Sequence, residues 1–193
     1  MTIDHSESSG NEEYRLWEGR PSETSECTSE ELAVYDFLDK LDICYKTMKH
    51  PAAFTIEECS KVRERVNAPV FKNLFLTNKQ QTRFYLLVMP GEKTFKTKYL
   101  SAQIGSARLS FASSDHMQAF LGVKPGTVTP MGLINDKDKS VSVLLDNDLC
   151  RYEKFACHPC VNIASVILSL RDLIERVLPA TGHSFTWVTL PEE

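Results

Sequence analysis

Two apolar runs, VFKNLFL at residues 70–76 and RFYLLVMPG at residues 83–91, lie six residues apart. Runs of this length, rich in β-branched and aromatic residues and joined by a short polar link, read as the two strands of a hairpin. The first run contains an anomaly. With a period of two, Val70, Lys72, Leu74 and Leu76 share one face, and Phe71, Asn73 and Phe75 share the other. A lysine on the inward face of a strand is costly, because burying a charge costs several kcal/mol unless something there uses it. Lys72 is therefore a candidate functional residue before any other consideration.

The rest of the chain surrounds this hairpin with short elements of both kinds. Leu32, Val34, Tyr35, Leu38 and Leu41 follow helical spacing behind a TSEE capping sequence, so a helix is expected over roughly 29–40. ICYKTM (43–48) reads as a strand. Thr55 offers an N-cap, with Glu57 and Glu58 in the first turn of a helix ending near Val66. TKYLSAQIG is a helix closed by Gly105, RLSFAS a strand fragment, and SSDHMQAFLG a helix closed by Gly122. A Pro/Gly loop, VKPGTVTPMGL, precedes the strand KSVSVLLDNDL. VNIASVILS is β-branched and strand-like, LRDLIERVLPATG is a helix stopped by Pro179 and Gly182, and SFTWVTL is a closing strand. Hairpin-spaced strands mixed with helices, and no internal repeat, predict a single α+β domain. Its sheet is expected to be mixed and largely antiparallel, or a partial barrel, flanked by helices.

Length and charge narrow the class. The 193 residues are 42% hydrophobic and 25% charged, enough for one globular domain with a sizeable core. No apolar run approaches the roughly 18 residues of a membrane span, and the N-terminus lacks a secretory signal, so no membrane partner and a cytoplasmic location are expected. Residues 1–29 hold seven acidic and two basic side chains, so the formal charge of −4 hides a nearly neutral body. Residues 1–13 read as a disordered acidic tail, 14–28 as an arm and connector, and 29–193 as the folded domain. In the arm, YRLWEGRP (14–21) carries apolar side chains able to dock. Within the body, GEKTFKTK places Lys93, Lys96 and Lys98 near Lys79 and Arg83, which reads either as a basic patch or as ordinary solvated surface.

Two further motifs carry chemistry. CHPC (157–160) has redox spacing, but the residues after it are strand-like rather than a helix N-terminus, and there is no second Cys-x-x-Cys or His-x₃₋₅-His to complete a zinc site. Six cysteines in a chain without an export signal are expected as thiols. His158, held extended by Pro159, either presents a ring nitrogen to a ligand or is satisfied by a nearby carbonyl. The loop Gly126–Pro130 exposes backbone groups either as a ligand grip or as a plain connector. No Walker loop, dinucleotide fingerprint, His-Glu-x-x-His or nucleophile elbow is present.

Six stretches in order, KHPAAFTIEE, KNLFL, FYLLVMPGEK, IGSARLSFAS, PGTVTPMGLIND and CHPCVNIASV, give residues 30–190 a pattern that resembles the prolyl-tRNA editing-domain family of the YbaK-like fold. The free-standing deacylases of misacylated tRNA are the nearest match. The resemblance implies that Lys72 and His158 are the catalytic residues. It implies that Asn73, Phe54, Thr55 and Ile56 line the amino-acid pocket, and that Gly126 and Pro130 form the family's Gly-x-x-x-Pro loop. It implies ester hydrolysis with no metal or cofactor, Ala-tRNA(Pro) as substrate, the 3′ acceptor end of aminoacylated tRNA as partner along with prolyl-tRNA synthetase, and no DNA. Lys93, Lys96 and Lys98 are expected to bind the tRNA. A Cys- or Ser/Thr-charged tRNA deacylase, or a non-catalytic tRNA- or synthetase-binding module, are the alternatives. The chain departs from the family at Cys160, where Asn is frequent.

Overall fold

A computed structural model describes residues 14–52, 61–62, 64–69 and 71–191. Nine strands form two sheets among these residues. In the first, β1 (Arg15–Glu18), β2 (Lys46–Lys49), β8 (Ala164–Ser169) and β7 (Lys154–Cys157) lie in the order β1-β2-β8-β7, every neighbour antiparallel. The second runs β5-β3-β4-β6-β9, built from β5 (Leu109–Phe111), β3 (Phe71–Asn78), β4 (Phe84–Pro90), β6 (Val141–Asp146) and β9 (Phe185–Val188). Here β3 is antiparallel to β4 and β5, whereas β4, β6 and β9 are mutually parallel. The expected α+β domain with mixed, largely antiparallel strands is found, its strands divided between two sheets. Alternation says which face of a strand is buried but not which strand is its neighbour.

The hairpin β3–β4 is the spine. Asn78 ties its link, its side-chain oxygen accepting from the amides of Thr82 (2.9 Å) and Arg83 (3.1 Å). Every residue of β4 is buried, because both faces of the second sheet are covered. One face meets the first sheet in the main core, which holds Phe71, Phe75, Phe84, Leu86, Val143, Phe155 and Val166. The other face carries Leu76, Tyr85, Leu87 and Met89 against Leu100 of α2 (Thr97–Gln103).

Helix α1 (Ser29–Lys40) starts as its sequence dictates. Thr28 and Glu31 form a reciprocal capping box, with the Thr28 amide 2.9 Å from Glu31 Oε2 and the Glu31 amide 3.2 Å from Thr28 Oγ1. The fully buried Glu31 carboxylate is also satisfied by the Tyr35 hydroxyl (3.1 Å) and the Lys49 ammonium (2.7 Å). A later helix, Ser114–His116 continuing as a π turn through Met117–Leu121, ends at Gly122 in the left-handed conformation.

Three expectations are corrected. The helix beginning at Leu170 does not stop at Pro179 but runs through it to Ala180. The turn before it, Leu173–Val177, is π-wound, and that wider turn relieves the carbonyl that proline can neither bond nor clear. Its end is at Gly182 (φ +76°), where the His183 amide reaches the Leu178 carbonyl at 3.0 Å. The strand expected directly after CHPC begins only at Ala164, and β7, not foreseen, precedes it.

The third correction is Lys93. Its side chain is 5% exposed, with Nζ bonded to both oxygens of Asp146 (3.1 and 2.9 Å), to the Leu190 carbonyl (2.8 Å) and to Asp148. All three ammonium protons are used inside the protein, so Lys93 presents no charge to a polyanion. Burial pulls its pKa down, but the carboxylates of Asp148 and Asp146 outweigh that and hold it above the ordinary lysine value. A raised lysine pKa contributes stability that is complete at neutral pH and is lost only as alkali passes the folded value. Lys93→Met, which strands the buried Asp146 carboxylate, should lower unfolding stability by about 3–5 kcal/mol in urea melts. Lys93→Met with Asp146→Leu should recover a large part of that loss. Equal loss in the single and double variants would show that the pair matters through shape rather than charge.

Candidate active site and basic groove

Strand β3 places Lys72 and Asn73, adjacent polar residues near its start, on opposite faces. Asn73 shares a face with Phe71 and Phe75, and Phe71 stacks on Phe155 of β7 with centroids 5.0 Å apart. It therefore points into the layer between the sheets, where its side-chain oxygen is buried without a hydrogen-bond partner among the described residues. Lys72, on the other face, is exposed. Its Nζ donates to the Lys93 carbonyl at 2.6 Å, so the buried lysine anchors the exposed one. Strand β5 pairs with β3 only from Leu76 onward. Among the described residues, the edge beside residues 71–74 has no neighbouring strand, and a ligand crossing it could meet both faces.

Lys72 lines an open cavity of about 1010 Å³ together with Phe95, Lys96, Lys98, Arg108 and Phe111. No carboxylate is among the described residues lining it. Two of the three nominated lysines are therefore here. Arg108 joins them through the α2–β5 link, a neighbour that no local spacing in the sequence announces. Arg83 lines a different cavity, about 670 Å³, with Trp187.

His158 sits in the turn between β7 and β8 and is half-buried. Its Nδ1 lies 3.2 Å from the Ala164 carbonyl, which can only accept, so Nδ1 carries the proton and Nε2 is left as an acceptor. One ring nitrogen is thus satisfied by a carbonyl, and no hydrogen bond among the described residues takes up the other. His50 is a residue that the motifs alone do not single out, although it begins the same His-Pro dipeptide as His158. Their rings are 6.3 Å apart. His50 is saturated, with Nδ1 2.8 Å from the Pro51 carbonyl and Nε2 3.0 Å from the Ser165 hydroxyl. Burial pushes both imidazole pKa values below the usual histidine value, the carbonyl bonds only partly opposing it.

The loop before β6 opens with a turn, the Thr127 amide bonding the Lys124 carbonyl at 3.0 Å. Pro125 and Gly126 occupy its central positions, Gly126 at φ +86°, as a type II turn requires. A Cβ at Gly126 would meet nothing within 4 Å, so the glycine is there for its backbone angle and not for space. Pro130 is buried and opens a 3₁₀ turn capped by Thr129, whose hydroxyl accepts from the Met131 amide at 3.3 Å. Among the described residues, no hydrogen bond or ring contact joins Lys72 to His158. Phe54, Thr55 and Ile56 lie outside the described residues.

Of the CHPC cysteines, Cys157 ends β7 and Cys160 lies in the turn that follows, not at a helix N-terminus. Burial pushes both thiols up to about 12. Cys160 has φ +64°, a conformation in which asparagine is at ease and cysteine is strained, which accounts physically for asparagine at this position in the resembling family. Two measurements check these assignments. Alkylation of the native protein at pH 8, with peptide mapping afterwards, should modify the exposed Cys44 and Cys150 and leave Cys157 and Cys160 until the chain unfolds. The imidazole NMR signals of His50 and His158 should keep neutral-ring shifts to lower pH than the same rings in the unfolded chain. Because both rings bind protons less tightly folded than unfolded, stability should fall as pH drops below about 6.5.

Comparison with known proteins places this geometry. A model of the aminoacyl-tRNA editing domain matches residues 50–175. The prolyl-tRNA editing protein ProX of Acetoanaerobium sticklandii is 37% identical over 158 residues, covering 82% of this chain and 96% of that one. The prolyl-tRNA synthetase associated domain-containing protein 1 of Danio rerio is 32% identical over 151 residues, covering 77% and 81%. A solved structure named as a candidate trans-editing enzyme for prolyl-tRNA synthetase superposes with a TM-score of 0.63 at 17% identity, over 85% of this chain and 99% of that one, a likeness of fold.

Proposed function

The chain belongs to the aminoacyl-tRNA editing domain family, and from that premise we propose that it is a trans-acting deacylase that hydrolyses the ester of misacylated tRNA(Pro), with Ala-tRNA(Pro) as its substrate. The observation that supports this beyond family membership is the pair Lys72–Asn73 on either side of one open strand edge. The 3′-terminal nucleotide crosses that edge. Its phosphate or ester oxygen meets the Lys72 ammonium, and its aminoacyl group enters the intersheet layer. There the buried Asn73 oxygen, which has no donor among the described residues, accepts from the substrate's α-ammonium. An unpaired buried acceptor costs about 1–3 kcal/mol, and a bound donor removes that cost.

An aminoacyl ester is already activated, so the site has mainly to position water and stabilise the developing oxyanion. His158, neutral and with Nε2 open, holds that water or a terminal ribose hydroxyl by accepting its proton in a hydrogen bond. Lys72 supplies positive charge to the oxygen that becomes negative. Gly126 and Pro130 shape the loop that backs the histidine. Selection is by size: a pocket that admits alanine clashes with the proline ring, and steric exclusion discriminates more sharply than a missing methylene, which is worth about 1–3 kcal/mol.

Lys72→Ala should reduce kcat/KM for deacylation at least about a hundredfold, the scale for losing a group that stabilises developing charge. Its melting temperature should stay near that of the parent, because Lys72 is exposed and Lys93 remains buried without it. Ala-, Cys-, Ser- and Pro-tRNA(Pro) incubated side by side with the parent protein should show Ala-tRNA(Pro) consumed first and Pro-tRNA(Pro) spared. Preferential loss of the cysteinyl or seryl ester would move the assignment to a sister specificity. Tight tRNA binding with no turnover of any ester would leave a binding module.

A further inference from the structure

The groove beside Lys72 carries more than positive charge. Phe111, on the edge strand β5, is 61% exposed, the most exposed large apolar side chain of the described residues. Its ring meets that of Phe95 at 6.2 Å and 66°, and both rings line the cavity that Lys72, Lys96, Lys98 and Arg108 line. Two phenyl faces among four cations, with no carboxylate among the described lining residues, match a ligand that repeats negative charge and flat π-faces. A duplex hides its base faces by stacking, and an acidic peptide offers charge without planes. Single-stranded nucleic acid offers both, and its bases stack on aromatic side chains with little regard to sequence.

We propose that Phe111 and Phe95 form a stacking platform for the unpaired nucleotides of the substrate's 3′ strand, whose phosphates run along Lys96, Lys98 and Arg108 and so deliver the terminal ribose to Lys72. This rests on the deacylase reading above and adds the residues that grip the strand. The arrangement also explains why a phenylalanine stays in water on a sheet edge. Its outward face is a binding surface, and β5 is short enough (Leu109–Phe111) to leave the neighbouring edge of β3 open for the ester.

The test uses the full chain and a short single-stranded RNA ending in CCA, with 2-aminopurine in place of one unpaired purine next to that end. Stacking on an aromatic ring quenches this base. The parent should bind and quench it, and Phe111→Ala should bind at least about fivefold more weakly with the quench lost. Phe111→Trp, which keeps a ring, should restore both. Arg108→Gln should lower the slope of log Kd against log salt by about 0.7, the value for one phosphate contact on a single strand. Circular dichroism should show each variant folded, since both side chains are exposed. Undiminished binding and quench in Phe111→Ala, or equal affinity for a fully paired duplex end, would overturn the platform. The two readings fail separately. A parent that binds and quenches but hydrolyses no aminoacyl-tRNA refutes the deacylase alone, whereas a parent that hydrolyses, beside an unaffected Phe111→Ala, refutes the platform alone.

Discussion

The buried ion pair of Lys93 with Asp146 organises this protein around its candidate site. Three segments far apart in sequence converge on one ammonium group: Asp146 and Asp148 at the end of β6, the Leu190 carbonyl beyond β9, and Lys93 itself just after β4. Because β4, β6 and β9 are adjacent and parallel, their C-terminal ends lie side by side, and the pair clamps them there. A buried pair is weak evidence of net stability, since desolvation offsets most of its attraction. What it does provide is position. The Lys93 side chain fixes its own backbone, and the Lys93 carbonyl then holds the Lys72 ammonium at 2.6 Å. The exposed lysine that lines the groove is thereby held in place by a buried one.

The site is divided by a strand rather than enclosed by a pocket. Charge is gathered on the solvent-facing side of β3, where Lys72 looks into an open basic groove. On the inner side the groups are neutral: the Asn73 amide and the Cys157 and Cys160 thiols, which burial keeps protonated. This division suits a substrate that is a polyanion at one end and a small apolar acyl group at the other. Long-range attraction to phosphate operates through solvent and is screened by salt. Hydrogen bonds and steric selection operate in the dry layer between the sheets, where they are strongest.

The two His-Pro dipeptides show how similar local sequence serves different ends. His50 is held by Pro51 and Ser165 so that neither ring nitrogen is open. His158 gives only Nδ1 to the Ala164 carbonyl and keeps Nε2. The difference lies in β8, which supplies a hydroxyl to the first ring and only a backbone carbonyl to the second. Both rings are pushed toward the neutral form by burial, as a base or water-holding group at neutral pH requires.

Much of the local architecture was legible in the sequence because its causes are local. The capping box at Thr28 and Glu31, the hairpin of β3 and β4, and the glycine stops at Gly105, Gly122 and Gly182 each depend on a few neighbouring residues. The six ordered motifs identified Lys72, Asn73, Gly126, Pro130 and His158 as worth locating. The tertiary structure decided what depends on partners distant in sequence. It sorted the strands into two sheets, placed β7 before CHPC, turned Lys93 from a surface cation into a buried anchor, carried a helix through Pro179, and brought Arg108 and Phe111 beside Lys72. Periodicity reports which side of an element faces inward. Whether a charge on that side is buried, paired or free is settled only when another segment arrives opposite it, and in this chain the arriving segment is often fifty or more residues away.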